Sequence, residues 1–293
     1  MLQKMMFILM ASLGAFVCTG EEKIAVRSGE KILFLGDSIT QFGNRKDGFV
    51  RQTMDGLKQA GIKNLTFIPG GVSGNRTVQV LQRLPALLKQ KPDWVILQIG
   101  VNDVNWGKNG GVKLPQYKIN IQSILGQCAK INARVVLVTP SLCREKLSFP
   151  NNKILDEYCA YLRQEAVKRK LILADWNRNM QTLLRSGKVK GDPDRVLTID
   201  GLHLNGYGNM YLAQTILRAL GVSEKTIAAL EISWKKVPSM APVLNSWSYP
   251  GILISMDDFE TVRKAAQAKK LTVKKYMEKV FYDHVRELKK AGK

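Results

Sequence analysis

Short apolar runs alternate with longer amphipathic runs from Lys31 onward, and this alternation constrains the fold more than any other feature of the chain. Each short run is rich in Val, Ile or Leu, as expected of strands covered on both faces. The longer runs carry apolar residues at helical spacing. This order is typical of βα units and predicts an α/β fold, a three-layer αβα domain with a flavodoxin-like parallel sheet. Ligands in such folds lie beyond the carboxyl ends of the strands.

The pattern places the secondary structure along the chain. The predicted strands are 31–35, 65–68, 94–99, 134–138 and 171–175. The predicted helices are 48–60, 77–90, 116–131, 153–170 and 205–220. The pattern breaks after Gly221, where prolines predict an irregular stretch, and 256–290 indicates one or two basic amphipathic helices. We therefore expect a main domain over residues 28–222 and a C-terminal extension over 223–293, irregular and then helical, packed on it as an appendage.

The first twenty residues have the pattern of a signal peptide. A basic residue, Lys4, precedes an apolar stretch from Met5 to Val17, and small residues follow before Glu21. The stretch is short for a membrane span, which needs about 20 residues. A retained N-terminal anchor and a lipoprotein modified at Cys18 are the alternatives. We expect a secreted or periplasmic protein with no stable membrane span.

The chain is strongly basic, with 45 Lys and Arg against 24 Asp and Glu and a formal net charge of +21. Such a charge attracts anionic polymers or lipid surfaces. The basic residues are dispersed and no nucleic-acid module is recognisable, so we expect no nucleic-acid partner. We interpret most of them as solvated helix faces, with anionic polysaccharide as a further candidate partner.

Signal-peptide cleavage would remove Cys18 and leave Cys128, Cys143 and Cys159. An odd number of cysteines argues against a disulfide framework. The absence of a C-x-x-C pair or a Cys/His cluster argues against a structural zinc site. We expect these cysteines to be buried or partly paired.

A candidate nucleophile follows the first predicted strand. Ser38 lies in the segment Gly36-Asp37-Ser38 at the carboxyl edge of the sheet, where a turn or helix begins. A hydroxyl there is exposed to substrate, and nearby backbone N–H groups can face a developing oxyanion. The same three residues also make an ordinary helix cap, so this segment alone does not establish a catalytic site.

Only two histidines could serve such a serine as a base. His203 lies just before the last helix of the main domain, three residues after Asp200. This spacing lets the carboxylate reach one ring nitrogen while the other faces Ser38. His284 lies in the basic C-terminal segment and is interpreted as a surface or packing residue.

Two further segments could supply donors to an oxyanion. Gly74 follows the second predicted strand and can present its backbone N–H without a side chain in the way. Asn102 follows the third strand and can donate from its side-chain amide. Taken singly, they could equally be a helix-entry glycine and a loop-forming asparagine.

Taken in order, Ser38, Gly74, Asn102 and His203 resemble the four signature positions of the SGNH/GDSL hydrolase family. The segments 83–88 and 92–97, the latter leading into Gly-x-Asn-Asp, are similar to the periplasmic thioesterase/lysophospholipase branch of that family. The resemblance covers residues 31–220. One departure is Pro69-Gly70-Gly71, where many members have an asparagine shortly before the second-block glycine, so Gly71 is an alternative oxyanion donor.

The resemblance implies a Ser-His-Asp acyl-enzyme mechanism. Ser38 would be the nucleophile, His203 the general base and then acid, and Asp200 the group that orients and stabilises the imidazolium. The backbone N–H groups of Ser38 and Gly74 and the amide of Asn102 would form the oxyanion hole. No metal or organic cofactor is implied. Two acids beside these residues, Asp37 and Asp103, are expected to brace their loops rather than to transfer protons.

We expect a secreted serine esterase acting on small acyl groups, such as acetyl, carried by a carbohydrate. Export, positive charge and the side chains of Arg76, Asn105 and Trp106 near the site suit a sugar substrate. A lysophospholipase or thioesterase acting on longer acyl chains is the first alternative. The alternative from another class is a non-catalytic carbohydrate-binding protein that retains the fold.

The signal peptide predicts that the exported protein begins near Glu21. Mass spectrometry of the protein recovered outside the cytoplasm measures this directly. An intact chain starting at Met1 and retained in the cytoplasm would contradict the expected export.

Overall fold

A computed structural model describes residues 23–105, 110–187, 196–237 and 255–291. Within these ranges five strands form one parallel sheet in the order β2-β1-β3-β4-β5. The strands are β1 (Lys31–Gly36), β2 (Thr66–Gly71), β3 (Trp94–Gln98), β4 (Arg134–Val138) and β5 (Ile172–Ala174). The predicted parallel α/β sheet is therefore confirmed.

Helices cover both faces of this sheet and make the three layers. They are α1 (Ser38–Gly43), α2 (Phe49–Gln59), α3 (Thr77–Leu88), α4 (Val101–Asn105), α5 (Leu114–Lys130), α6 (Pro150–Arg169), α7 (Trp176–Ser186), α8 (Gly206–Ala219), α9 (Glu224–Lys235), α10 (Met256–Ala268) and α11 (Val273–Ala291). Helices α2 and α8 pack together in one layer, whereas α3, α5 and α6 form the other. Every residue of β3 is buried, as is expected of a central parallel strand covered on both faces.

Strand β2 runs three residues further than predicted, through Pro69-Gly70-Gly71. Proline and glycine are normally unfavourable inside a strand. Strand β2, however, lies at the edge of the sheet, where the N–H that proline lacks is not needed for pairing on the outer side. A Cβ atom at Gly71 would lie 2.2 Å from the backbone nitrogen of Gln41 in α1. Gly71 therefore lets α1 pack directly on β2.

Helix α9 lies where the sequence predicted an irregular stretch, and that part of the prediction is wrong. Its N-cap Ser223 accepts a hydrogen bond from the backbone N–H of Thr226, and Ile227, Leu230 and Trp234 are buried. The indole N–H of Trp234 donates to Asp55 of α2 at 2.8 Å. The prolines that suggested irregular chain all come after α9 has ended. Helices α4 and α7 were also not predicted.

The end of the chain packs on the α8 layer through α10. Phe259 is buried against the ring of Tyr207, at a centroid distance of 6.1 Å. The hydroxyl of Tyr207 donates to the carboxylate of Glu260 at 2.8 Å, and Arg263 forms an ion pair with the same carboxylate. Helix α10 thus contacts the first turn of α8, a few residues after His203.

Cys128, Cys143 and Cys159 are free thiols, and all three are buried. Burial raises the pKa of both Cys128 and Cys143 to about 12. They are therefore protonated at neutral pH and unsuited to nucleophilic attack.

The proposed signal peptide lies outside the described residues. Among the helices that the structure describes, none combines the length and the apolar character that a membrane crossing requires.

Replacing Phe259 with alanine should destabilise the protein, because the substitution leaves a cavity between α10 and α8. The expected loss is about 3–5 kcal/mol in the free energy of unfolding, measured by urea denaturation. The matched control is Phe281→Ala in α11. The Phe281 ring is more than half exposed, so its removal should change the free energy of unfolding by no more than about 0.5 kcal/mol. Equal losses for the two variants would show that α10 does not pack as described.

Candidate active site

The candidate signature residues converge at one edge of the sheet. Ser38, Gly74 and Asn102 follow the ends of β1, β2 and β3 by two to four residues. These strands are adjacent in the order β2-β1-β3 and parallel, so their carboxyl ends meet at the same edge. The topology therefore brings together residues that are far apart along the chain.

Ser38 is the first residue of α1, immediately after a tight strand-to-helix turn. Asp37 caps the helix by accepting a hydrogen bond from the backbone N–H of Ile39 at 2.9 Å. A Cβ atom at Gly36 would lie 2.1 Å from the hydroxyl oxygen of Thr40 and 2.4 Å from the carbonyl oxygen of Gln98. Only glycine fits there, and its close approach sets the direction in which the chain enters α1.

The hydroxyl of Ser38 meets the imidazole of His203. His203 Nε2 lies 2.9 Å from Ser38 Oγ, and His203 Nδ1 lies 2.5 Å from Asp200 Oδ2. The three side chains that the sequence singled out as a triad are thus joined in the predicted order. In contrast, His284 lies on α11, mostly exposed, with Nδ1 3.7 Å from a carboxylate oxygen of Glu287.

Asp200 is held in its ionised form by the loop that carries it. Its Oδ1 accepts hydrogen bonds from the backbone N–H groups of Leu202 and His203 at 2.9 and 2.8 Å. Burial acts to raise the pKa of Asp200, but the hydrogen bonds from the His203 ring and from these two amides outweigh it and lower the pKa to about 2. The carboxylate therefore remains negative beside the imidazole at neutral pH, where it stabilises a positive charge on the ring.

The turn between Asp200 and His203 depends on Gly201, which has a φ of +93°. The backbone N–H of Ile199 donates to the carbonyl oxygen of His203 at 2.8 Å and closes the loop. The side chain of Asn205 caps α8 and donates to the carbonyl oxygens of Val196 and Thr198, which lie at the start of the loop.

Gly74 lies in the loop after β2, and Asn102 lies in the first turn of α4, shortly after β3. Gly74 has a φ of +75°, a conformation that favours glycine. Asn102 is buried, and its side-chain amide donates to the carbonyl oxygen of Asn75 at 3.0 Å. This bond orients the amide and links α4 to the loop that contains Gly74. Gly71, the alternative donor, lies within β2 and packs against α1.

Arg83 connects the end of β1 with the loop after β2. Its Nη2 donates to the carbonyl oxygen of Gly36 at 2.7 Å, and its Nε donates to the side-chain oxygen of Asn75 at 2.8 Å. One guanidinium therefore joins the end of β1 to the loop after β2. The sequence included Arg83 only as part of the resemblance and did not indicate this contact.

Asp37 and Asp103 make the contacts expected of loop braces. Asp103 accepts from both the backbone N–H and the hydroxyl of Thr77, at 3.1 and 2.6 Å, and so ties α4 to the start of α3. Burial raises the pKa of Asp37 to about 7 and that of Asp103 to about 6. Both carboxyls lie inside the protein beneath the site.

The side chain of Asn105 and the whole of Trp106, which were expected near the site as features that suit a sugar substrate, lie outside what the structure describes. Arg76 is described, and its backbone N–H donates to the side chain of Gln79 at 3.0 Å at the start of α3. No group of three or more potential metal-ligating side chains occurs in the part of the chain that the structure describes.

Glu145 is a component of the site that the sequence did not indicate. Its carboxylate accepts hydrogen bonds from the backbone N–H groups of Val196 and Leu197 and from the hydroxyl of Thr198, at 2.5, 2.8 and 2.5 Å. The hydroxyl of Thr198 in turn accepts from the backbone N–H of Gly201 at 3.0 Å. Glu145 thus holds the start of the loop that carries Asp200 and His203, although it lies more than fifty residues away along the chain.

This arrangement, a serine, an imidazole and a carboxylate in hydrogen-bonding sequence at the edge of a parallel sheet, defines a class of serine hydrolases. The model of the GDSL-like Lipase/Acylhydrolase family matches residues 34–210. The chain belongs to this family, and it is a carboxylic ester hydrolase with the SGNH fold.

Characterised proteins of similar sequence and structure are esterases. An acetylxylan esterase of Geobacillus stearothermophilus is 29% identical over 221 residues, which span 67% of this chain and 96% of that protein. The crystal structure of Axe2, an acetylxylan esterase from the same organism, matches with a TM-score of 0.60 and 25% identity, covering 68% of this chain and 98% of that one. The acetyl xylan esterase AlAXEase matches with a TM-score of 0.58 and 29% identity, covering 64% and 98%.

The clamp around Thr198 yields a testable prediction. Thr198→Val removes the hydroxyl that links Glu145 to Gly201 and leaves the partly buried N–H of Gly201 without this partner, which costs about 1 kcal/mol. If that energy loosens the position of His203, ester turnover should fall about tenfold with KM nearly unchanged.

The conservative variant Thr198→Ser keeps the hydroxyl and should retain near-normal turnover. Steady-state kinetics of both folded variants, checked by circular dichroism, test the clamp. Full activity in Thr198→Val would show that the loop holds His203 without it.

Proposed function

We propose that this protein removes acetyl groups from a carbohydrate, with Ser38 as the nucleophile and His203 and Asp200 as its activating pair. The observation that carries the proposal is the contact of 2.9 Å between Ser38 Oγ and His203 Nε2, with Asp200 on the other ring nitrogen. The similarity to acetylxylan esterases along nearly their whole length supports an acetylated sugar as the substrate.

The first half-reaction forms an acetyl-enzyme. Ser38 Oγ attacks the ester carbonyl carbon while His203 Nε2 takes the hydroxyl proton. The backbone N–H groups of Ser38 and Gly74 and the side-chain amide of Asn102 donate to the oxyanion of the tetrahedral intermediate. His203 then gives its proton to the departing sugar oxygen as the carbon–oxygen bond breaks.

The second half-reaction releases acetate. His203 removes a proton from a water molecule, which attacks the acetyl carbonyl and forms a second tetrahedral intermediate. Collapse of that intermediate breaks the bond to Ser38, whose oxygen recovers the proton from His203. Asp200, with its lowered pKa, stays ionised throughout and stabilises the imidazolium.

Catalytic mutants of Axe2 replace a serine, an aspartate or a histidine with alanine. That set of residue types supports the same roles for Ser38, Asp200 and His203 in this chain. Export through the proposed signal peptide would give the enzyme access to a polymeric glycan outside the cytoplasm.

Removing individual groups should separate their roles. Ser38→Ala should abolish labelling by a serine-directed organophosphate and reduce turnover by several orders of magnitude, and His203→Ala should approach the same loss. Asn102→Ala should keep the nucleophile but lose on the order of 10²-fold in turnover, as expected for one missing oxyanion donor.

His284→Ala is the matched control and should change turnover little, because His284 lies on α11. Hydrolysis of acetylated sugars and of esters of increasing chain length measures both the chemistry and the substrate class. Normal activity in folded His203→Ala would refute the assignment of the base. A strong preference for long acyl chains would refute the assignment of the substrate.

A further inference from the structure

A groove runs over the surface of α2 toward the β2 edge of the sheet. It consists of two adjoining depressions of about 640 and 380 Å³, and both are lined by Arg51 and Asp55. The larger one extends to Lys63 and Phe67 beside β2, and the smaller one extends to Lys46 and Trp234. The two depressions share Arg51 and Asp55 as lining residues, and we call them together the α2 groove.

One end of the α2 groove is linked to the candidate active site through Arg45 and Phe42. Lys46 and Asp47, at its near end, directly follow Arg45 in the chain. The guanidinium of Arg45 lies 4.4 Å from the centre of the Phe42 ring, and that ring lies 5.0 Å from the imidazole ring of His203. A chain of direct contacts and adjacent residues therefore connects the catalytic imidazole to the groove.

The groove is predominantly positive. It is lined by four basic residues, Lys46, Arg51, Lys58 and Lys63, and by two acidic residues, Asp47 and Asp55. Asp55 already accepts a hydrogen bond from the indole of Trp234. Lys58 and Lys63 are both exposed, and neither forms an ion pair within the described residues.

Arg51 is positioned at the centre of the groove by contacts on two sides. Its Nε donates to the carbonyl oxygen of Asn44 at 3.1 Å, and its guanidinium lies 4.8 Å from the centre of the Phe67 ring. These contacts restrict the side chain and reduce the entropy lost when it binds an anion.

We propose that the α2 groove binds carboxylate-bearing sugar units of the same polysaccharide whose acetyl ester reaches Ser38. This inference rests on the proposed function and extends it to an acidic glycan, one that contains uronic acid units. The groove extends along α2 from Lys46 to Lys63, which precedes β2 at the opposite edge of the sheet, so it suits a polymer long enough to span both edges.

The groove fits sugar carboxylates better than a nucleic acid. Single strands bind by stacking bases on exposed aromatic rings. Here the face of Phe67 carries the Arg51 guanidinium, and Trp234 is only 5% exposed. Lysine and arginine side chains next to polar ones such as Asn64 and Gln59 suit carboxylates and hydroxyls instead.

The test compares deacetylation of an acetylated xylan that carries glucuronic acid with that of acetylated neutral xylo-oligosaccharides. The groove variant is Lys58→Gln/Lys63→Gln. The matched control is Lys89→Gln/Lys130→Gln, which removes the same charge from exposed positions of the opposite layer. p-Nitrophenyl acetate measures the chemistry without the polymer.

Exposed charge pairs contribute about 0.2–1 kcal/mol each, so losing two should raise KM for the acidic xylan about fivefold at low salt. KM for the neutral oligosaccharides and turnover of p-nitrophenyl acetate should stay within twofold of the wild type. The difference should disappear near 1 M salt, where the screening length is about 3 Å. The control variant should behave like the wild type in every assay.

Two results would overturn the inference. One is that the groove and control variants have equal KM values for acidic xylan. The other is that phosphatidylserine vesicles bind in a groove-dependent way while KM for the xylan is unchanged.

If no acetyl ester is hydrolysed at all, the proposed function fails, and calorimetric binding of deacetylated acidic xylan still tests the groove. Loss of that binding only in the groove variant supports the site, whereas equal binding by both variants refutes it.

Discussion

The contact between Ser38 and His203 joins residues 165 positions apart, and the rest of the structure serves to maintain it. Ser38 is positioned by the end of β1 and the close approach at Gly36, whereas His203 is carried by a loop after the fifth strand. Neither segment can place its side chain alone. The sheet supplies the common frame, because every strand end points to the same edge.

Two sets of contacts make that frame precise. On one side, Arg83 and the side chains of Asn75 and Asn102 join the loops after β1, β2 and β3. On the other side, Glu145 holds the loop that carries Asp200 and His203. Buried polar groups of this kind are stabilising only when they are paired, so each bond also restricts where its partner can lie. Precision at the site is therefore obtained from polar contacts beneath it.

The sequence predicted the fold because its signals are local, and it predicted the triad because four signature positions occur in the order of a known family. Buried parallel strands are visible as short apolar runs, and Asp200 and His203 occur three residues apart in one segment. Glu145 gives no such signal, since a glutamate after β4 becomes meaningful only when the loop 196–198 folds against it. Similarly, the extension of β2 through Gly71 depends on the approach of α1, and α9 depends on apolar contacts with the main domain that periodicity alone did not reveal.

The loop that carries both Asp200 and His203 has a mechanical consequence. Because five backbone and side-chain hydrogen bonds connect this short segment internally, the carboxylate and the imidazole move together when the loop moves. A displacement of this loop would therefore preserve their mutual alignment and change the separation between the imidazole and the serine instead. Loss of activity would then report a shift of one loop while the sheet itself stays folded.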